Sequence, residues 1–126
     1  MKDDAIELSL NIKDDLKIFG FPNEYSQVLL NLISNSRDAI LERRIKNPVI
    51  RICLFKENNK SVLTVTDNAG GVNSEIIDKI FNPYFTSKKS GTGIGLYMSK
   101  VIIEKNMGGT LTFKNVDNGA QFRIEV

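Results

Sequence analysis

Ile6, Leu8, Leu10 and Ile12 alternate with Glu7, Ser9 and Asn11, a period of two that predicts a half-buried strand. A short strand around 17–19 is expected to follow, ended by Gly20. From Pro22 the apolar positions change to helical spacing, and Pro22 suits a helix start. This helix is expected to run to about Ile45, with Arg43, Arg44 and Lys46 complementing its dipole and Asn47-Pro48 breaking it. Residues 49–56 and 61–66 read as paired strands joined by Glu57-Asn58-Asn59-Lys60. Ser74 is a good N-cap for a short helix over 75–81. A loop over 82–90 leads to a last helix from about Gly95 to Met107. A final strand pair, 110–114 and 120–126, turns at Asp117-Asn118-Gly119. Strands, helix, strands, helices, strands is the order of one sheet packed on one helical layer, an α/β (α+β) two-layer sandwich.

At 126 residues and 14.1 kDa this pattern fits a single domain spanning the whole chain, large enough to bury a core without staples. Seventeen basic residues scattered among fifteen acidic ones leave a net charge of +2, so no basic stripe marks a nucleic-acid binder. The lone Cys53 lies in an apolar run and suits a reducing cytoplasm. No apolar run approaches membrane-spanning length and no signal peptide is read, so membrane contact is not expected. Histidine is absent. That excludes a Ser-His triad, a His-ligated zinc and a His general base, and it leaves no histidine to accept a phosphoryl group.

Three local patterns suggest chemistry. On the long helix, the helical repeat brings Glu24, Gln27, Asn35 and Asp38 into one stripe with Asn31, because residues four or seven apart lie nearly above one another. Asparagines are poor helix formers, so a polar stripe centred on two of them differs from an ordinary Lys/Glu-rich solvated face. A neutral amide suits a cation or a phosphate, and magnesium takes one or two protein oxygens, with phosphate and water completing its shell. The segment Asp67-Asn68-Ala69-Gly70-Gly71-Val72 puts a carboxylate at a strand end followed by two glycines. A carboxylate accepts from an exocyclic amine and would favour adenine over guanine at that edge. Finally, Gly91, Gly93 and Gly95 alternate with Thr92 and Ile94 before an apolar helix beginning at Leu96. Glycine permits close backbone approach, and a helix start attracts anions.

In order, Asn31-Leu-Ile-Ser-Asn35, Asp67-Asn-Ala-Gly-Gly71, Phe81-Asn-Pro-Tyr-Phe85-Thr-Ser-Lys88 and Gly91-Thr-Gly-Ile-Gly95-Leu96 closely resemble the catalytic and ATP-binding domain of bacterial sensor histidine kinases. That family shares a superfamily with DNA gyrase, the large heat-shock chaperone ATPases and mismatch-repair ATPases. The resemblance covers essentially the whole chain and implies a Bergerat-type ATP-binding fold. It implies that Asn35 coordinates the Mg²⁺ bridging the ATP phosphates, with Asn31 beside it as the second catalytic amide. Asp67 would accept from the adenine amine, supported by Gly71. Phe81 and Phe85 would anchor an ATP lid carrying Lys88, and Gly91, Thr92, Gly93, Gly95 and Leu96 would form the glycine box at the phosphates. Two positions depart from the family pattern. Ala69 replaces the commoner glycine, and its methyl is expected to tighten packing. Asp38 stands where many members place a phosphate-reaching Lys or Arg. It is expected in the nucleotide site through water or Mg²⁺, with the missing charge left open among Arg37, Lys88 and Lys89.

Hydrolytic members of the superfamily carry a water-activating Glu at the position of Asn31, which cannot serve as a base. The expected activity is therefore transfer of the ATP γ-phosphate to a histidine on a separate helical dimerisation domain, as the catalytic half of a two-component sensor kinase. Met1-Lys2-Asp3-Asp4 looks like the start of an excised piece, beginning where that helical domain would end, so no autophosphorylation is expected of these residues alone. A response-regulator receiver domain is the expected downstream partner. The expected location is cytoplasmic, as the cytoplasmic part of a membrane-anchored sensor or free. The alternatives are an anti-sigma-factor-type serine kinase, which usually keeps Glu at the Asn31 position, and a degenerate nucleotide-free interaction module.

Overall fold

A computed structural model describes residues 5–13, 22–85 and 94–126. The expected strand at 17–19 lies outside them. Strand β1 (Glu7–Ile12) is followed by helix α1 (Pro22–Arg43), the hairpin β2 (Val49–Glu57) and β3 (Lys60–Asp67), helix α2 (Gly95–Val101), and the hairpin β4 (Thr110–Val116) and β5 (Gly119–Glu125). The strands form one sheet in the order β1-β2-β3-β5-β4. β1 runs parallel to β2, and every other pair is antiparallel.

The alternating pattern decides which face of each strand meets the helices. Ile50 and Ile52 of β2, Leu63 and Val65 of β3, Leu111 of β4, and Phe122 and Ile124 of β5 all point to one face. There they pack under Val28, Leu32 and Ile40 of α1 and Ile102 and Ile103 beyond α2. The opposite face is crossed by an ion cluster in which Arg123 meets Glu57 at 3.0 Å and Glu125 at 3.3 Å, with Lys60 4.0 Å from Glu125. Such partly exposed pairs contribute little each, and they complete a sandwich of two layers, as the element order predicted.

Four local expectations are corrected. α1 stops at Arg43, ahead of Asn47-Pro48. Arg44 takes φ 52°, Ile45 N donates to Ile40 O (3.2 Å) and Arg44 N to Leu41 O (3.3 Å). These are the two bonds of a Schellman end, with an arginine in the position glycine usually fills. The helix expected over 75–81 is only a 3-10 turn at Ile77–Lys79 with no side-chain cap at Ile76; ahead of it the Asn73 side chain, and not Ser74, accepts from Glu75 N at 2.9 Å. The last helix is not uniform: beyond Val101 it widens into a π-helical turn, Ile102–Asn106, closed by Met107 N on Ile102 O (3.2 Å). Lastly, among the described residues β1 is not half-buried, since Leu8, Leu10 and Ile12 lie 54%, 63% and 67% exposed at the sheet edge. The hairpins, by contrast, follow their turn residues. Asn58 and Asn59 both take positive φ (53° and 64°) between β2 and β3, the geometry that matches strand twist in a two-residue loop.

Candidate functional site

The end of β3 is fixed largely by side chains. Asp67 is 6% exposed, and its Oδ1 accepts from Ala69 N (2.9 Å) and Ala120 N (3.3 Å). Asn68 reaches the other way, accepting from Val49 N (2.9 Å) and donating to Asn47 O (3.0 Å). Gly70 and Gly71 then run through φ 94° and 78°, and Gly70 N donates to Asn118 O at 2.8 Å. A Cβ on Gly71 would lie 2.6 Å from Asn115 Oδ1, and one on Gly119 would lie 1.7 Å from Asp67 O. The fold itself therefore requires both glycines. Asn115 closes the turn by pairing with both N and O of Val72, each at 2.8 Å. No described residue donates to Asp67 Oδ2. Ala69 is 1% exposed within the core cluster, so its methyl serves packing, as expected.

α1 connects this turn to the second helix. At its C-terminal end, Arg43 Nη1 donates to Ala69 O (2.7 Å) and Gly71 O (2.5 Å). Three turns earlier, Asn31 Nδ2 donates to the fully buried Ser99 of α2 (3.2 Å), while Gln27 Nε2 donates to Asn31 Oδ1 (3.2 Å). A Cβ on Gly95 would lie 4.0 Å from Asn31 Cγ, so Asn31 and the first residue of α2 face one another. Asn35, half-buried between these ends, is hydrogen-bonded by no described side chain. Asp38 Oδ1 accepts from Arg37 Nη2 at 3.3 Å, and the Arg37 Nη2 also reaches Ser34 Oγ at 3.5 Å. Arg37 thus partly neutralises Asp38.

The segment leading away from the 3-10 turn is anchored by its aromatics. Phe81 meets Phe122 edge-on at 6.2 Å, Phe122 meets Phe113 at 5.0 Å, and Phe85 packs against the same cluster. Lys100 Nζ lies 4.8 Å above the Phe81 ring and donates to Glu104 Oε2 (2.8 Å) and Leu111 O (2.9 Å). Its hydrogen bond, helped by the Leu111 amide, holds the Glu104 carboxyl below the ordinary value of 4.5 despite some burial. Leu96 is half-buried against the core, and α2 begins at Gly95 with no side-chain cap at Ile94. Lys88, Gly91, Thr92 and Gly93 lie outside the described residues.

The structure thus places Asn31, Asn35 and Asp38 on α1, Asp67 and Gly71 at the β3 end, and Gly95 and Leu96 at the α2 start, and brings Asn31 up to Gly95 and Ser99. Sequence reasoning missed Arg43, Asn68, Asn115 and Lys100. Asn68 carried a signal only as a turn former, and Arg43 only as a basic helix end, which pointed to the dipole and not to the turn. Among the described residues no three His, Cys, Asp or Glu side chains form a metal cluster, and no helix is long and apolar enough to cross a membrane.

Comparison with known proteins agrees with this arrangement. Residues 20–126 match the family described as histidine kinase-, DNA gyrase B-, and HSP90-like ATPase. The two-component sensor PprA of Pseudomonas aeruginosa is 36% identical over 115 residues, covering 85% of this chain and 12% of that protein. The sensor histidine kinase ZraS of Escherichia coli O157:H7 is 34% identical over 121 residues, covering 94% and 25%. Thus the chain spans a quarter or less of the length of these curated relatives. Among solved structures, the catalytic domain of histidine kinase ThkA superposes with a TM-score of 0.85 at 31% identity, over 99% of this chain and 80% of that one. ThkA in complex with the response regulator TrrA superposes at 0.78 with 28% identity, over 99% and 35%. The chain therefore belongs to the histidine kinase-, DNA gyrase B- and HSP90-like ATPase family, as an ATP-binding catalytic domain of the sensor histidine kinase type.

Proposed function

We propose that this domain holds ATP across the face of α1, with the base at the Asp67 turn and the phosphates at Gly95, and presents the γ-phosphate to a histidine on a separate helical domain. The observation that carries this reading is the double attachment of α1, through Arg43 to the aspartate turn and through Asn31 to α2. A single rigid helix thereby sets the separation of a base-reading carboxylate from a phosphate-reading helix start. Asp67 Oδ2 is the acceptor for the adenine amine. The first-turn N–H groups of α2 have no acceptor within the helix and point toward anionic oxygens.

A magnesium ion fits the donor set: Asn35 offers one neutral amide oxygen unclaimed by any described side chain, which suits an ion that arrives with phosphate oxygens and water. Bound there, the ion neutralises charge on the phosphates. The chain's own work is alignment, which dominates phosphoryl transfer. Asn31 orients the α2 start through Ser99, and its amide has no basicity with which to activate water. Phe81 and Phe85 tie the base of the lid to the core.

The acceptor histidine and the response regulator belong to the full-length assembly, and the ThkA–TrrA complex is the precedent for the second partner. A cytoplasmic setting suits both the ATP supply and the free thiol of Cys53. The test is paired. The 126 residues alone should bind ATP with Mg²⁺ yet hydrolyse it slowly, and should form phosphohistidine only when the helical domain is added. Fast Mg²⁺-dependent hydrolysis by the domain alone, or no phosphohistidine with the helical domain present, would overturn the proposal.

A further inference from the structure

We infer that Arg43 is a positioning residue for adenine selection, setting the Asp67 carboxylate through the turn that follows it. This inference rests on the assignment of Asp67 as the adenine acceptor. One nitrogen, Nη1, donates to both Ala69 O and Gly71 O, so a single cation locks two peptide units. The far sides of the same units are held as well: Gly70 N, in the unit of Ala69 O, donates to Asn118 O, and Val72 N, in the unit of Gly71 O, donates to Asn115 Oδ1. Between them lie Gly70 and Gly71 at φ 94° and 78°, the most conformationally free pair available to a chain.

Ala69 is the connection to chemistry. Its carbonyl is held by Arg43 and its own N–H makes the shorter of two hydrogen bonds to Asp67 Oδ1, the other coming from Ala120 N; together they set the carboxylate's rotation and therefore where Oδ2 points. Without Arg43, the turn keeps the Asn115 and Asn118 bonds but loses the only described donor to either carbonyl. With only the longer Ala120 N bond still held in place, the carboxylate then samples rotations in which Oδ2 no longer meets an exocyclic amine. Helix-dipole compensation does not require this geometry, because a C-terminal cation acts on the dipole through charge alone.

The experiment titrates ATP and GTP into the wild-type domain and into Arg43→Gln, Arg43→Lys and Asp67→Asn, with thermal melts of each. Arg43→Gln is expected to weaken ATP binding roughly five- to thirty-fold, to leave GTP binding unchanged, and so to shrink the ATP/GTP ratio. Arg43→Lys, whose ammonium can reach two carbonyls without a planar fork, is expected to restore part of the ratio. In the reconstituted kinase, Arg43→Gln should raise KM for ATP and leave kcat unchanged. An unchanged ATP/GTP ratio in Arg43→Gln, or an equal loss for both nucleotides tracking a lower melting temperature, overturns the inference in favour of a plain structural staple. If Asp67→Asn discriminates like wild type, the assignment of Asp67 is what fails. If it loses discrimination while Arg43→Gln keeps it, only the role of Arg43 fails.

Discussion

Four side chains, Asp67, Asn68, Arg43 and Asn115, bind the backbone in and around the turn that ends β3, whereas α2 starts behind Ile94 with no side-chain cap. In the first region no described residue donates to Asp67 Oδ2, while Oδ1 and the carbonyls of Ala69 and Gly71 are held internally. The second starts with no side-chain cap, and the first-turn amides have no acceptor within the helix. A neutral, flat base is selected by a few fixed directions, so its site gains from being built in advance. A flexible chain of phosphates is held by charge and several amides, so its site gains from donors that remain uncommitted. α1 joins the two, through Asn31 to α2 and through Arg43 to the turn.

Breaking the built end should have the largest effect. Gly119→Ala forces a methyl toward Asp67 O, 1.7 Å from its ideal position, and neither backbone can yield without moving the β3 end. We expect a loss of about 3 kcal/mol in stability by urea unfolding, together with weaker ATP binding. Wild-type stability and affinity would mean that the turn is not rigid. Next comes the joint. Asn31→Ala removes the α1–α2 hydrogen bond to Ser99 and leaves a fully buried hydroxyl without that donor. The expected cost is about 1 kcal/mol, with α2 amides showing faster hydrogen exchange and the Asp67 turn unaffected. Equal loosening of both regions would break the contrast between them.

The smallest effect belongs to the Lys100–Glu104 contact beside α2. Because its carboxyl is held below 4.5 in the folded state, Glu104 contributes stability that is fully present above that pH and disappears as pH falls through the lowered value. Melting curves from pH 7 to pH 3 should therefore show wild type losing its advantage over Glu104→Gln on the acid side. A gap between the two that stays constant with pH would remove this group from the account.

The features legible in the sequence are those set by local rules. Apolar runs marked β2, β3 and β5, adjacent asparagines marked the β2–β3 hairpin, and Asp67 with its glycines announced a turn. What stayed hidden depends on distant partners. Arg44 closes α1 in a left-handed conformation that propensity disfavours, supported by the Ile45–Ile40 bond and the packing of both residues with the core. Ser74 is expected to cap a helix, yet it is the Asn73 side chain that accepts from Glu75 N, and only a 3-10 turn follows. The widening at Ile102–Asn106 has no breaker residue to announce it. Arg43 finds its acceptors 26 and 28 residues away, a relation that no local pattern encodes. The apolar face of β1 illustrates the converse, since alternation predicts an apolar face but not what lies against it.

The central claim is that Asp67 reads adenine while Asn35 serves the metal, and one titration addresses it directly. ATP affinity is measured with and without Mg²⁺ for wild type, Asp67→Asn and Asn35→Ala. Asn at position 67 can still accept from Ala69 N and Ala120 N, but its amide nitrogen opposes an incoming amine. Binding should therefore fall about a hundred-fold or more with little change in melting temperature. Asn35→Ala should bind ATP with the same affinity whether or not Mg²⁺ is present. Asp67→Asn that binds like wild type, or Asn35→Ala that keeps the full Mg²⁺ enhancement, would contradict the account.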